Sequence, residues 1–155
     1  MKKISYFLDT TIFLEALISK DSKRARECRL LLRRISSEGY IEAWTSSLVI
    51  AEVELICERV YHLERKEIDE TVRGILGMRN VKIVQRVNIH GALELYERYK
   101  TTFIDALVVS NALLISEHPC IISYDKDFDK MGIRRVEPKD VIGIAAVRPK
   151  KRPTS

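Results

Sequence analysis

The chain predicts an α/β fold built on one largely parallel sheet, and two observations carry that reading. Five short segments rich in β-branched and aromatic residues (4–8, 40–44, 81–87, 120–124 and 133–136) are separated by stretches of helical spacing or a helical turn. Strands that alternate with helices pair in parallel, because each crossover returns the chain to the same edge of the sheet. Hydrophobic residues make up 46% and charged residues 32%, the composition of a single globular domain with one substantial core.

Residues 4–8 read as a buried strand that runs into Asp9-Thr10-Thr11 and then an apolar helical turn over 12–18. Ala25, Cys28, Leu32 and Ile35 recur at helical spacing with Leu31 beside them. A second helix therefore reaches Ser37, capped by Asp21 or Ser22 and stopped by Gly39. After the strand at 40–44, Thr45-Ser46-Ser47 caps a helix over 48–61, and 64–78 fits another. The third strand covers 81–87. Asn88 caps a helix through Tyr99, and Thr101-Thr102 caps an apolar helix over 103–116 that His118-Pro119 breaks. Strand 120–124 leads to Asp125, which opens a short helical turn ended by Gly132. The last strand, 133–136, stops at Glu137-Pro138, and 138–142 form a final helical turn.

Residues 1–147 form one domain and 148–155 a separate tail. Arg148-Pro149-Lys150-Lys151-Arg152-Pro153 holds four of the 27 basic residues; removing them leaves 23 against 22 acids. That composition predicts a disordered segment, either a solubilising end or a loose anchor for phosphates. Cys28, Cys57 and Cys120 lie far apart without a C-x-x-C and read as buried, reduced thiols. His62, His90 and His118 are equally scattered, which excludes a zinc site of the usual spacing. No apolar run approaches the ~18 residues of a membrane span, and the start lacks a signal-peptide pattern. A cytoplasmic protein with no membrane association is the expectation.

Four acids stand where an apolar segment meets a turn or a helix start. Asp9 and Asp125 follow strands directly, so they fall at the carboxyl edge of the sheet. Glu52 lies early in the helix leaving the second strand, and Asp105 early in the helix that feeds the fourth; both starts lie at that same edge. Ligands of open α/β sheets bind there. Like charges about 4 Å apart cost roughly 4 kcal/mol per pair at an effective dielectric near 20, so converging carboxylates need a cation between them. Oxygen-only donors favour hard ions such as Mg2+ or Mn2+.

Each acid also has a local explanation. Asp9 and Asp125 are N-cap candidates, Thr102-x-x-Asp105 resembles a capping box, and Glu52 could be one exposed residue of an amphipathic helix. Glu52 and Asp105, however, sit in otherwise apolar stretches with no basic residue beside them. Thr11 can reach the same site or cap its helix. Asp127 and Asp129 are alternatives or additions to Asp125. Lys23, Arg24, Arg26, Arg29, Arg33 and Arg34 bias one helix positively, with Glu27 the one acid before Glu38. That side is a solvated face or a phosphate-contacting surface.

The motifs Phe7-Leu8-Asp9-Thr10-Thr11, Ser46-Ser47-x-x-x-x-Glu52-Val53, Phe103-Ile104-Asp105-Ala106-Leu107 and Ile122-Ser123-Tyr124-Asp125-Lys126-Asp127-Phe128 together resemble a PIN-domain protein over about residues 4–137. The resemblance implies a three-layer α/β/α sandwich around a parallel five-stranded sheet and a Mg2+- or Mn2+-dependent ribonuclease acting on RNA phosphodiester bonds. It carries the family's acidic quartet to Asp9, Glu52, Asp105 and Asp125. Asp9, Asp105 and Asp125 are then the expected metal ligands, Glu52 positions the attacking water, and Thr11 and Asp127 are possible additions. By size the chain is most similar to the VapC-type toxins of toxin–antitoxin pairs, which implies a homodimer and an antitoxin partner. An RNA-processing nuclease, or an RNA- or protein-binding module of the same fold without turnover, are the alternatives.

Overall fold

The structure, a computed structural model, describes residues 4–145; the tail at 148–155 lies outside them. Five parallel strands, β1 (Ile4–Leu8), β2 (Ile41–Ser46), β3 (Val81–Val84), β4 (Cys120–Ile122) and β5 (Arg134–Val136), form one sheet in the order β3-β2-β1-β4-β5. The chain steps from β1 outward to β3, then returns to the other side of β1 to place β4 and β5. That reversal makes the gap between β1 and β4 the topological switch point, where the crevice of such a sheet opens. In register, Leu8 sits beside Ile122, and Ile122 beside Val136, so three strands end level.

Among the described residues, seven helices surround the sheet: α1 (Thr10–Leu17), α2 (Lys23–Ser37), α3 (Ser47–Arg59), α4 (Arg65–Leu76), α5 (Ile89–Tyr99), α6 (Phe103–Leu113) and α7 (Pro138–Ala145). α1 and α7 pack on α2, while α5 and α6 pack on each other. Right-handed crossovers put the β1-to-β3 connections on one face and the β3-to-β4 connection on the other, giving three layers. None of the described helices is long and apolar enough to cross a membrane.

Local chemistry explains most boundaries. Ser22 caps α2, its Oγ accepting from the Ala25 amide at 3.0 Å, while Asp21 instead pairs with Arg26 and Arg29. Ser46, Asn88 and Thr102 cap α3, α5 and α6 in the same manner. Gly132 ends the 3-10 turn Lys126–Met131 at φ 69°, a left-handed conformation that glycine adopts without cost.

Some expected boundaries differ. β3 stops at Val84 rather than 87, because this edge strand pairs only with β2 and Val87 is exposed. α1 begins at Thr10, immediately after Asp9. α2 ends through an extended Glu38, and Gly39 does not adopt a positive φ, since the chain must turn at once into β2. α6 closes at Leu113 through tightened bonds from the Leu114 amide to Asn111 and Ala112, three residues before the expected end at 116.

The main core gathers Phe7, Leu8, Ile12, Phe13, Leu31, Ile35, Ile121 and Phe128 around the sheet centre. All three cysteines are free and buried, as the composition predicts. α2 runs from the carboxyl edge to the amino edge. Arg24 in its first turn lies over Tyr124, just beyond β4, and the Ile35 carbonyl near its end accepts from Asn80, just before β3.

Candidate active site

Asp9 leaves the end of β1 at the switch point and is 5% exposed. Its backbone still belongs to the sheet, the Asp9 amide donating to the Ile122 carbonyl at 3.2 Å. Although Asp9 occupies the N-cap position of α1, its side chain makes no capping bond. Its Oδ2 instead accepts from Ser123 Oγ at 2.7 Å and Thr11 Oγ1 at 3.2 Å. Burial pushes the Asp9 carboxyl up to about 6 from an ordinary 3.8, against the hydrogen bonds from Ser123, Thr10 and Thr11, with Glu52 adding repulsion.

Glu52 projects from the second turn of α3, where Thr10 Oγ1 donates to its Oε2. Thr10 thus joins the first strand's exit to the third helix. Thr45 Oγ1 donates to the Leu8 carbonyl at 3.2 Å and fixes β2 against the same exit.

The second half of the edge comes from β4 and α6. Ser123 Oγ accepts from the Asp125 amide at 3.0 Å while donating to Asp9, so one hydroxyl spans the two strands. Asp125 caps the 3-10 turn through Oδ1, which accepts from the Asp127 amide at 2.9 Å. Asp105 is engaged by Thr102 Oγ1, which donates to its Oδ2 at 2.7 Å and accepts from its amide at 3.1 Å. Burial raises the Asp105 carboxyl, Thr102 works against that, and Asp125 and Asp127 raise it further. Arg135 stabilises the loop from behind: it donates to the Ser123 carbonyl at 2.9 Å and forks onto the Asp129 carboxylate.

Glu52 thus repels Asp9, while Asp125 and Asp127 repel Asp105, so the acids fall into two neighbouring sets. Among the described residues no three His, Cys, Asp or Glu side chains are gathered tightly enough to enclose an ion as they stand. Ser123 is the link that relates the sets. None of Asp9, Glu52, Asp105 or Asp125 has an ion pair among the described residues, whereas Asp127 is paired with Lys130 at 2.7 Å. A buried carboxylate with hydroxyl neighbours and no cation is an oxygen-only donor set that suits a hard divalent ion.

Ser123, Thr10 and Arg135 are absent from the sequence-based site. Ser123 reads as part of an apolar strand, and its one signal is a hydroxyl at the strand's carboxyl end, two residues before Asp125. Thr10 stands beside the more conspicuous Asp9, and Arg135 lies on a different strand from everything it holds.

A parallel α/β sheet with acids on both sides of its switch point defines a class: an α/β domain whose carboxyl edge is an acidic site. The family profile of the PIN domain matches residues 6–134, and the chain belongs to that family. Its fold is shared with VapC20 of Mycobacterium tuberculosis, described as a sarcin-ricin loop cleaving toxin, at 19% identity and a TM-score of 0.61, covering 86% of this chain and 99% of that one. A toxin–antitoxin complex from Klebsiella pneumoniae matches at 21% identity and a TM-score of 0.59, covering 86% and 97%. PAE2754 from Pyrobaculum aerophilum matches at 13% identity and a TM-score of 0.64, covering 94% and 97%. The search of curated proteins found no match.

Proposed function

We propose that this chain is a Mg2+- or Mn2+-dependent ribonuclease of the cytoplasm, the toxin of a toxin–antitoxin pair, acting as a homodimer restrained by an antitoxin. The observation that carries the reading is Asp9: a nearly buried carboxylate at the switch point, facing Glu52 and linked through Ser123 to Asp125, with no cationic partner among the described residues. Membership of the PIN family and the shared fold with VapC20 and the Klebsiella complex support the choice of substrate and partner.

Asp9, Asp105 and Asp125 are the residues that would hold the ion, with Thr11 and Asp127 at its margin. When bound, such an ion acts as a Lewis acid toward the scissile phosphate and offsets the charge that would repel an RNA backbone. Glu52, oriented by Thr10, positions the attacking water and takes its proton. Ser123 keeps the Asp9 and Asp125 segments in register. The exposed apolar residues Ile89, Leu93, Tyr96 and Ile104 on α5 and α6 offer a surface for self-association.

The test is cleavage of single-stranded and structured RNAs with and without divalent metal, read against Asp9→Asn. Wild type should cut only with Mg2+ or Mn2+, and Asp9→Asn should lose activity by about 100-fold or more, the scale of one removed transition-state contact. Metal-independent cutting, or RNA binding without cleavage across substrates, would overturn the reading in favour of a binding module. Sedimentation of the purified chain tests the homodimer, and co-purification with the product of an adjoining gene tests the antitoxin.

A further inference from the structure

α2 carries six basic residues, Lys23, Arg24, Arg26, Arg29, Arg33 and Arg34, but they are not equivalent. Arg26 and Arg29 are held by Asp21 at 3.0 and 2.9 Å, and Arg34 donates to the Ile142 carbonyl at 3.1 Å. Arg33 belongs to the far end of the helix, beside Leu32, Ser36 and Met78. Arg24, in the first turn, stands at the acidic edge: its guanidinium carbon lies 4.4 Å from the centre of the Tyr124 ring.

Tyr124 is an unusually fixed platform. Its backbone lies between Ser123, which bonds Asp9, and Asp125. Its hydroxyl donates to Glu27 Oε2 at 3.2 Å and accepts from Cys28 Sγ at 3.8 Å, so α2 holds the ring by its far end. Arg24 is exposed and has no ion pair or hydrogen bond among the described residues. A guanidinium held over an aromatic face loses side-chain freedom, yet with no other partner its N–H donors stay available. Those donors match the geometry of a phosphate, which they can grip through two parallel bonds.

We propose that Arg24, held over the Tyr124 ring, is a substrate-positioning residue that grips a backbone phosphate of single-stranded RNA beside the acidic site. The inference rests on the nuclease reading above and deepens it. It replaces a diffuse basic face with one contact at one end of α2. The phosphate contact serves orientation: it fixes the strand one residue away from Asp125 without touching the reacting atoms.

Steady-state cleavage of an RNA oligonucleotide by the full chain, measured across a salt series, tests this. Arg24→Gln should raise KM about tenfold, the scale of one lost charge-assisted contact, with kcat within about twofold. The slope of log kcat/KM against log salt should shrink by about 0.7, the value for one phosphate contact on a single strand. Arg24→Lys should fall between Arg24→Gln and wild type, because it keeps the charge but loses the fork. Arg33→Gln, on the same helix, should match wild type. All variants change exposed side chains, and thermal melts establish that they fold. If Arg24→Gln leaves KM and the salt slope unchanged, or Arg33→Gln shifts them equally, the proposal fails while the nuclease reading stands. If wild type neither binds nor cuts RNA, the nuclease reading fails and takes this proposal with it.

Discussion

Asp9 is a carboxylate that the fold keeps away from water, and its cost can be measured. Its carboxyl titrates near 6 in the folded chain against about 3.8 when unfolded. Below pH ~3.8 it is protonated in both states and carries no penalty. Between about 3.8 and 6 the unfolded chain ionises while the folded one still holds its proton, so stability falls across that window and levels off above it, by ~2–3 kcal/mol for a shift of this size. Urea melts in chelator should therefore show wild type losing that much between pH 4 and 7 relative to Asp9→Asn, which stays neutral. An equal pH response in the two proteins would mean that Asp9 is better solvated than its burial implies. Ser123→Ala removes the strongest hydrogen bond opposing the shift, so its step should move to higher pH. The sequence makes Asp9 conspicuous but gives Ser123 no role of its own, because a hydroxyl at a strand end reads as structure until its partner across the sheet is known.

At the level of elements, α6 serves two masters. Thr102 Oγ1 caps the helix by accepting from the Asp105 amide and also donates to the Asp105 carboxylate, which Asp125 and Asp127 repel. Thr102→Ala should cost ~1 kcal/mol in the metal-free protein, the usual price of a lost N-cap. Asp105→Asn should leave metal-free stability unchanged or higher, because the amide oxygen can still accept from Thr102 while the like-charge repulsion disappears, yet it should abolish cleavage. A stability loss matching that of Thr102→Ala would make Asp105 a cap before anything else. Helix starts were legible in the sequence because Ser22, Ser46, Asn88 and Thr102 announce them with local chemistry. Ends were less so. β3 and α6 stop where pairing or burial runs out, and neither is a property of the residues at the boundary.

For the whole molecule, alternation of strands and helices was enough to specify a parallel sheet, but the order β3-β2-β1-β4-β5 depends on long-range pairing that no local pattern encodes. That order brings Asp9 next to the β4 exit, so that two acids 116 positions apart in sequence, Asp9 and Asp125, share the Ser123 hydroxyl. Because Asp9, Asp105 and Asp125 come from the exit of β1, the first turn of α6 and the turn after β4, an ion held among them would add to the Ser123 link between these segments and offset the repulsion of their carboxylates. Such an ion binds the folded chain far better than the unfolded one, and at 100 times its dissociation constant it contributes ~2.7 kcal/mol. For a chain of this length that corresponds to a rise in Tm of roughly 5–10 °C. Calorimetric scans should show this rise with Mn2+ or Mg2+ in wild type and its loss in Asp9→Asn. The two carboxylate sets make Asp125→Asn equally informative. If the ion spans both sets, that variant loses the shift as Asp9→Asn does; if Asp9 and Glu52 suffice, the shift survives, and Asp125 belongs to the substrate side of the site.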